Sequence, residues 1–291
     1  MHPASFDYYR PETIDQAVDL LGAHQEARVL AGGHSLLPIM KLRLASPAAL
    51  VDIGRIGELT GIRRDGDRLH IGAMTTHAAI EASEEVRRLC PLLAETASHI
   101  GDLQVRNRGT IGGSLAHADP AGDFPTAVVA LEGTITVRGS GGSREIPAAQ
   151  FLIDVFTTAL EPGELLTSVS VPVMGRTTGG AYAKHRHPAS GYAVVGVAAT
   201  VTFEDGKCSD ARLVVGGAAG IPLRAEAAEE ALRGRELGEE AIGTAAERVA
   251  AAIIDPLSDT YASGEYRRHL STVLARRALT RAVRAAERAG R

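Results

Sequence analysis

Cysteine is scarce in this sequence. Cys90 and Cys208 are the only two among 291 residues. Two thiols cannot build a disulfide framework, a zinc ribbon or a four-thiolate iron–sulfur cradle. Their expected state is reduced and buried, which fits a cytoplasmic protein. An excess of one charge is also lacking. The formal net charge is −4, so no basic field draws the chain to nucleic acid or anionic lipid. Long apolar runs are missing as well. The longest, "YAVVGVAATVTF" (192–203), is too short to span a bilayer as a helix, and its β-branched residues predict a strand. The opening "MHPASFDYYRPE" has no basic segment leading into an apolar one, so it does not read as a signal peptide.

Several motifs are absent too. No G-x-G-x-x-G follows a strand, there is no G-x-x-x-x-G-K-[ST], and there is no H-E-x-x-H. A Rossmann dinucleotide site, a P-loop and a zincin are thereby excluded. "GHSLL" (33–37) falls short of a nucleophile elbow, because Leu37 stands where the second glycine is needed. His185 and His187, in "HRH", share a strand face but lack a nearby third ligand, so a strand end is the simpler reading.

What is present suits two or three lobes, with 45% hydrophobic and 23% charged residues. "PETIDQAVDLLGAH" predicts a helix capped at Thr13, with Ile14, Ala17, Val18 and Leu21 at helical spacing. "ARVL", "ALVDI", "RLHIGAM", "TITVRG" and "ELLTSVSVPV" predict strands. "TTHAAIEAS" predicts a helix capped by Thr75 or Thr76, and "SEEVRRLCPLLAETASHIG" a helix interrupted at Pro91. Residues 102–123 read as one long functional loop, followed by a helix at "FPTAVVALEG". After residue 177, three strands ("AYAKHRH", "YAVVGVAATVTF", "ARLVVGGAAG") predict a meander, and three helical segments follow. Arg276, Arg277, Arg281, Arg284 and Arg288 lie in the last of these among glutamates and alanines, and read as a solvated helix face.

Two glycine loops carry the functional signal. "AGGHS" (31–35) and "TIGGS" (110–114) each offer consecutive N–H groups without Cβ bulk, and Ser35, Thr110 and Ser114 add hydroxyls. Such nests bind oxyanions, and a pyrophosphate needs donors from more than one direction. Either loop alone could be a simple turn; the shared pattern favours a joint anion site.

"AGGHSLLPIMKLRLASPAALVDI" and "RNRGTIGGSLAHADPAGDFP" closely resemble the two flavin-binding motifs of the FAD-binding medium subunits of molybdenum hydroxylases, of the aerobic carbon monoxide dehydrogenase type. The resemblance runs the whole length, through "IGAMTTHAAI", "EPGELLTSVSVPV", "YAKHRHPASGYAVV" and "SGEYRRHLSTVLARRAL". It implies an α+β fold of the vanillyl-alcohol-oxidase type, with FAD-binding subdomains over 1–55 and 56–177. A C-terminal lobe over 178–291 would carry a three-stranded antiparallel sheet with helices.

The resemblance also implies residue roles. Ala31, Gly32, Gly33, His34, Ser35 and Leu36, with Thr110, Ile111, Gly112, Gly113 and Ser114, would hold the pyrophosphate through backbone donors. His34 would either touch the flavin or only shape its loop. Asp123 would anchor ribose or ribityl hydroxyls, or else cap the following helix. Ile100 would pack near adenine or flavin, and Leu166 at the isoalloxazine edge. Lys184 would sit by the flavin carbonyls, and Tyr192 would cover one ring face. At Ser114 the sequence departs from the family, whose members usually carry asparagine; the hydroxyl reaches less far.

The function implied is non-covalent FAD binding and electron transfer in the cytoplasm. Electrons would come from the [2Fe-2S] clusters of a small subunit, fed by a molybdopterin large subunit, and pass to an external acceptor. The assembly would be a dimer of heterotrimers. The alternatives are a stand-alone flavin oxidase or reductase and a flavin-free scaffold.

Overall fold

The computed structural model describes residues 2–290. Helix α1 (Ile14–Ala23) starts where Thr13 accepts a hydrogen bond from the Gln16 N–H, as its sequence predicts, and buries Ala17, Val18 and Leu21. It covers a parallel sheet of β1 (Asp7–Tyr9), β3 (Ala49–Asp52) and β2 (Ala27–Leu30), in the order β1-β3-β2. Between β2 and β3 runs the short helix α2 (Leu36–Lys41).

The second sheet is antiparallel, in the order β4-β5-β10-β6-β7. Its strands are β4 (Ile62–Asp65), β5 (Arg68–Gly72), β6 (Thr134–Gly139), β7 (Gly142–Pro147) and β10 (Leu165–Pro172). Helices fill the stretch between β5 and β6. Thr76, rather than Thr75, caps α3 (His77–Ala82). The predicted break at Pro91 divides α4 (Glu84–Leu89) from α5 (Pro91–Ser98), with Cys90 buried between them.

The long loop expected over 102–123 is instead mostly helical. Asp102 caps α6 (Leu103–Arg108) by accepting from the Val105 N–H at 2.8 Å, and Thr110 caps α7 (Ile111–His117) by accepting from the Gly113 N–H at 3.1 Å. Glycine density hid two short helices whose capping residues were in plain view. Helix α8 (Asp123–Ala130) follows and is buried along its whole length. Beyond β7 come the one-turn helix α9 (Ala148–Phe151) and a hairpin of β8 (Leu152–Asp154) and β9 (Thr157–Thr158).

The remaining lobe contains the three expected long strands, β11 (Thr178–Arg186), β12 (Ala193–Glu204) and β13 (Lys207–Gly216), plus a fourth of two residues, β14 (Leu223–Arg224). They form an antiparallel sheet in chain order. Helices α10 (Glu226–Leu232), α11 (Glu239–Val249) and α12 (Gly264–Ala289) cover it. Among the described residues no helix is long and apolar enough to cross a membrane.

Helix α8 is buried all round because it lies between two lobes. Phe124 and Val128 join the core under the second sheet, which also takes in Tyr182, Ala198 and Val214 from the third. Close approach requires a glycine here: a Cβ at Gly216 on β13 would lie 1.9 Å from the Thr126 hydroxyl of α8. The first lobe is tied in by Leu165 at the start of β10, which packs with Val18 and Val51.

Candidate functional site

The two glycine loops, separated by more than seventy residues of sequence, touch. A Cβ on Gly32 would lie 2.1 Å from the Arg108 carbonyl oxygen and 3.0 Å from the Gly109 Cα. Gly32 therefore lacks a side chain because backbone passes there, and not only to clear space for an anion. Gly33 has φ +76°, a left-handed conformation that glycine adopts without strain. Its carbonyl then accepts from the Leu37 N–H at 3.0 Å and starts α2. Within the loop the His34 ring folds back to 3.2 Å from the Gly32 carbonyl.

Among the described residues, the backbone N–H groups of Gly32, Gly33, His34, Ser35 and Leu36 have no hydrogen-bond acceptor. Five successive unpaired donors are a binding surface for an oxyanion. The second loop differs from expectation in this respect. Ile111 N–H donates to Thr75 (3.1 Å), Gly112 N–H to Ala73 (2.9 Å), and Gly113 and Ser114 N–H to Thr110, so these four donors are engaged. They are used because the loop is the first turn of α7, zipped to "AMTTH" through a Thr76–Thr110 bridge and the His77 N–H to Gly109 carbonyl bond. What this loop has free is the Ser114 hydroxyl and the edge of Gly113, whose added Cβ would meet only the Thr110 hydroxyl at 2.9 Å and the Ala31 Cβ at 3.7 Å.

Asp123 begins α8 and is buried with Lys184. The Lys184 Nζ lies 2.8 Å from one Asp123 oxygen, and the two side chains are 1% and 5% exposed. The Tyr182 hydroxyl donates to the other oxygen at 2.7 Å, and Lys184 also donates to the His99 carbonyl at 3.0 Å. Burial pushes the Asp123 carboxyl up and the Lys184 ammonium down, and in each case the partner opposes the shift. The hydrogen bonds complete the pair, which keeps both charges satisfied without solvent.

Tyr182 was not singled out from the sequence, although a signal existed. It stands two residues before Lys184 on β11, so both side chains leave the same sheet face. Room for its hydroxyl comes from Gly196 on β12, where a Cβ would lie 2.1 Å away.

Tyr192 stands at the start of β12, half exposed. Burial, with Asp119 and Asp123 nearby, raises its phenol, and the adjacent Ser35 hydroxyl lowers it. The C-terminal lobe, the first glycine loop and the "DPAGD" turn thus meet at one place. Ile100, two residues past the end of α5, is half-buried against the core that includes Leu166, which is itself 4% exposed on β10.

His77 is a second residue that sequence reasoning passed over. It is 5% exposed, packs against Phe124 with ring centroids 5.1 Å apart, and its Nδ1 has no partner. Burial lowers its pKa to about 4, with His34 and Arg106 adding to the effect, so the ring is neutral. His185 and His187 do not converge on a ligand; they lie against Tyr266 and Tyr261.

The residues present fit an FAD. Unpaired N–H groups and hydroxyls suit a pyrophosphate. The half-buried Ile100 and half-exposed Tyr192 offer apolar and aromatic surface for rings, and Asp123 retains acceptor capacity beside the Tyr182 and Lys184 bonds.

This fold and site belong to a known class. Residues 4–174 match the FAD binding domain in molybdopterin dehydrogenase, and residues 180–282 match the CO dehydrogenase flavoprotein C-terminal domain. The chain belongs to this family of FAD-binding subunits of molybdenum-containing oxidoreductases. It is 42% identical to the carbon monoxide dehydrogenase medium chain of Afipia carboxidovorans, over 97% of this chain and 98% of that one. It is 38% identical to the nicotine 6-hydroxylase medium subunit of Paenarthrobacter nicotinovorans, over 94% and 96%. Among solved structures, carbon monoxide dehydrogenase from Hydrogenophaga pseudoflava superposes with a TM-score of 0.94 at 41% identity, covering 97% of this chain and 98% of that chain. The expected fold class, cofactor and family agree with these findings.

Proposed function

We propose that this chain binds one FAD non-covalently and acts as an electron relay, without a substrate site of its own. The first glycine loop carries the reading, through its unpaired N–H groups from Gly32 to Leu36. These, with Ala31 and the Ser35 hydroxyl, hold the pyrophosphate. Gly113 and Ser114 close the opposite side through glycine edge and hydroxyl, while Thr110, Ile111 and Gly112 fix the loop in place.

Asp123 accepts from cofactor hydroxyls in addition to its present partners. Lys184 places a positive charge where reduced flavin gains negative charge, and Tyr192 covers one ring face. Ile100 and Leu166 supply apolar surface, and His34 shapes its loop. Bound FAD supplies the redox chemistry. The chain's residues bind it, orient it and exclude water.

The proposed subdomains run over 1–55, 56–177 and 178–291. Relatives serving enzymes as different as carbon monoxide dehydrogenase and nicotine 6-hydroxylase support a generic carrier. In this reading the chain sits in the cytoplasm within a dimer of heterotrimers. A [2Fe-2S] small subunit delivers electrons taken from a molybdopterin large subunit, and an external acceptor removes them. The stand-alone oxidase is disfavoured because the titratable groups here, Asp123, Lys184 and Tyr182, are bonded to one another rather than left free for a substrate.

The test is stopped-flow flavin reduction by the complex's own substrate, with the isolated chain and with the reconstituted complex. Fast reduction is expected only in the complex. Equal rates would overturn the relay and support an oxidase. Acid precipitation should release the flavin, and flavin retained on peptide would overturn the non-covalent claim.

A further inference from the structure

The first turn of α12 carries an arginine that the relay reading does not use. Arg267 is 6% exposed, and a guanidinium is buried only where its donors are matched. One Nη donates to the Val194 carbonyl at 2.5 Å and to the Gly217 carbonyl at 2.7 Å. The other donates to Asp259 at 2.5 Å. The pairing of β12 with β13 starts at Gly196 and Gly216, so both carbonyls lie beyond its end. They also converge, since a Cβ on Gly217 would lie 2.7 Å from the Val194 oxygen. Arg267 thus supplies the donors that strand pairing no longer provides.

All three acceptors lead toward Tyr192. Val194 follows it closely on β12. The Ala193 N–H donates to the Ala121 carbonyl at 3.2 Å and the Gly217 N–H to the Pro120 carbonyl at 2.8 Å. The two strand ends that Arg267 joins are therefore also docked on the "DPAGD" turn. The third route runs through a loop. Asp259 Oδ1 accepts from the Tyr261 and Ala262 N–H groups, both at 2.8 Å, while its Oδ2 takes Arg267. The Tyr261 ring packs edge-on against His187, with centroids 4.5 Å apart. His187 Nδ1 accepts from the Ala189 and Ser190 N–H groups, both at 3.3 Å, and its own N–H donates to the Tyr192 carbonyl at 2.8 Å. This histidine of "HRH" is a loop clasp. Tyr192 is itself 41% exposed, and its N–H makes only a 3.4 Å bond to Ser190 Oγ. It is held from behind.

We propose that Arg267 is a positioning residue for Tyr192. It acts through Val194 on one side and through Asp259, Tyr261 and His187 on the other, and fixes where the phenol stands beside the first glycine loop. The planar fork suits the task, because it bridges two carbonyls and a carboxylate that lie in different directions. A lysine offers one nitrogen and cannot span the three acceptors. A merely structural arginine would tie helix to helix or sheet. The bonds of Arg267 go instead to two strand ends and a loop, all of which adjoin the segment bearing Tyr192. The consequence for the cofactor rests on the reading that Tyr192 covers one face of the flavin ring.

The test replaces the six tyrosines with fluorotyrosine and follows the flavin-free chain by fluorine NMR. The Tyr192 resonance is identified by its loss in Tyr192→Phe. Arg267→Lys should shift or broaden it. Asp259→Asn, which leaves the guanidinium on its two carbonyls, should do so to a smaller extent, and it decides the matter if Arg267→Lys does not fold. Arg224→Lys loosens the Arg224–Glu229 pair elsewhere in the same lobe and should leave the resonance unmoved. In the FAD-loaded chain, with loading read from flavin absorbance, emission should rise in Tyr192→Ala, because a stacked tyrosine quenches flavin. It should rise likewise in Arg267→Lys. An unmoved Tyr192 resonance in both Arg267→Lys and Asp259→Asn, or an equal shift in Arg224→Lys, would overturn the positioning role. Emission raised in Tyr192→Ala but not in Arg267→Lys would overturn its bearing on the cofactor. Unaltered emission in Tyr192→Ala would overturn the ring-face reading instead, a failure kept distinct because the resonance is read without flavin.

Discussion

Removing the carboxylate of Asp123 should destabilise the chain even before any flavin is present. The Asp123–Lys184 pair spans 2.8 Å with both side chains essentially out of solvent. In Asp123→Ala the Lys184 ammonium keeps only the His99 carbonyl, and the Tyr182 hydroxyl loses its acceptor. Breaking one side of a buried pair costs about 3–5 kcal/mol, because a charge is left uncompensated. Replacing both partners removes that penalty, so Asp123→Ala/Lys184→Met should lose less than the sum of the single variants, by about 2 kcal/mol. The sequence contains no tryptophan, so urea unfolding of the flavin-free chain is best followed by far-UV circular dichroism. A single variant within about 1 kcal/mol of the unaltered protein would refute the buried pair. Additive losses in the double variant would refute the coupling.

Two further outcomes are expected. Gly32→Ala should destabilise the flavin-free chain by about 1–3 kcal/mol and weaken FAD binding, because its methyl meets the Arg108 carbonyl; an unchanged melting temperature would refute the loop contact. His77 should give stability a pH dependence. Its folded pKa, about 4, lies below the ordinary 6.5, so the stabilisation is present above pH 6.5 and is lost as pH falls toward 4. The loss amounts to about 3 kcal/mol. Urea midpoints at pH 7.5 and 4.5 should therefore fall less in His77→Gln than in the unaltered chain, and equal falls would refute the assignment.

Local signals in the sequence translated directly into structure. Thr13 caps α1, Pro91 opens α5, and the alternation after residue 177 becomes three long strands. Where long-range contact decided the outcome, sequence was a poorer guide. β7 (Gly142–Pro147) escapes because its glycine and charges look like a turn, yet it completes the sheet edge beside β6. The glycines of residues 109–113 suggested an open loop, whereas Gly109 and Gly112 are small because His77 and Ala73 press against them. The same holds for Gly32. Its glycine was read as clearance for phosphate, while backbone from 76 residues further along occupies that space. Asp123 and Lys184 both stand out in the sequence as candidates, but their bond to each other does not, since nothing local in either segment names the partner.

That bond has a consequence for how long the cofactor stays. Asp123 belongs to the helix under the second sheet and Lys184 to the C-terminal lobe, so the pair fastens one wall of the cleft to the other. Any hinge-like gaping of the two must separate a desolvated ion pair. A gaped form that leaves either charge unpaired and still out of water lies about 3 kcal/mol above the closed one and is rarer by a factor of roughly 100. The receptacle is shut before its guest arrives, and escape by parting the walls is correspondingly infrequent. For an FAD held in the proposed cleft, residence time then depends on a contact that the flavin itself does not make.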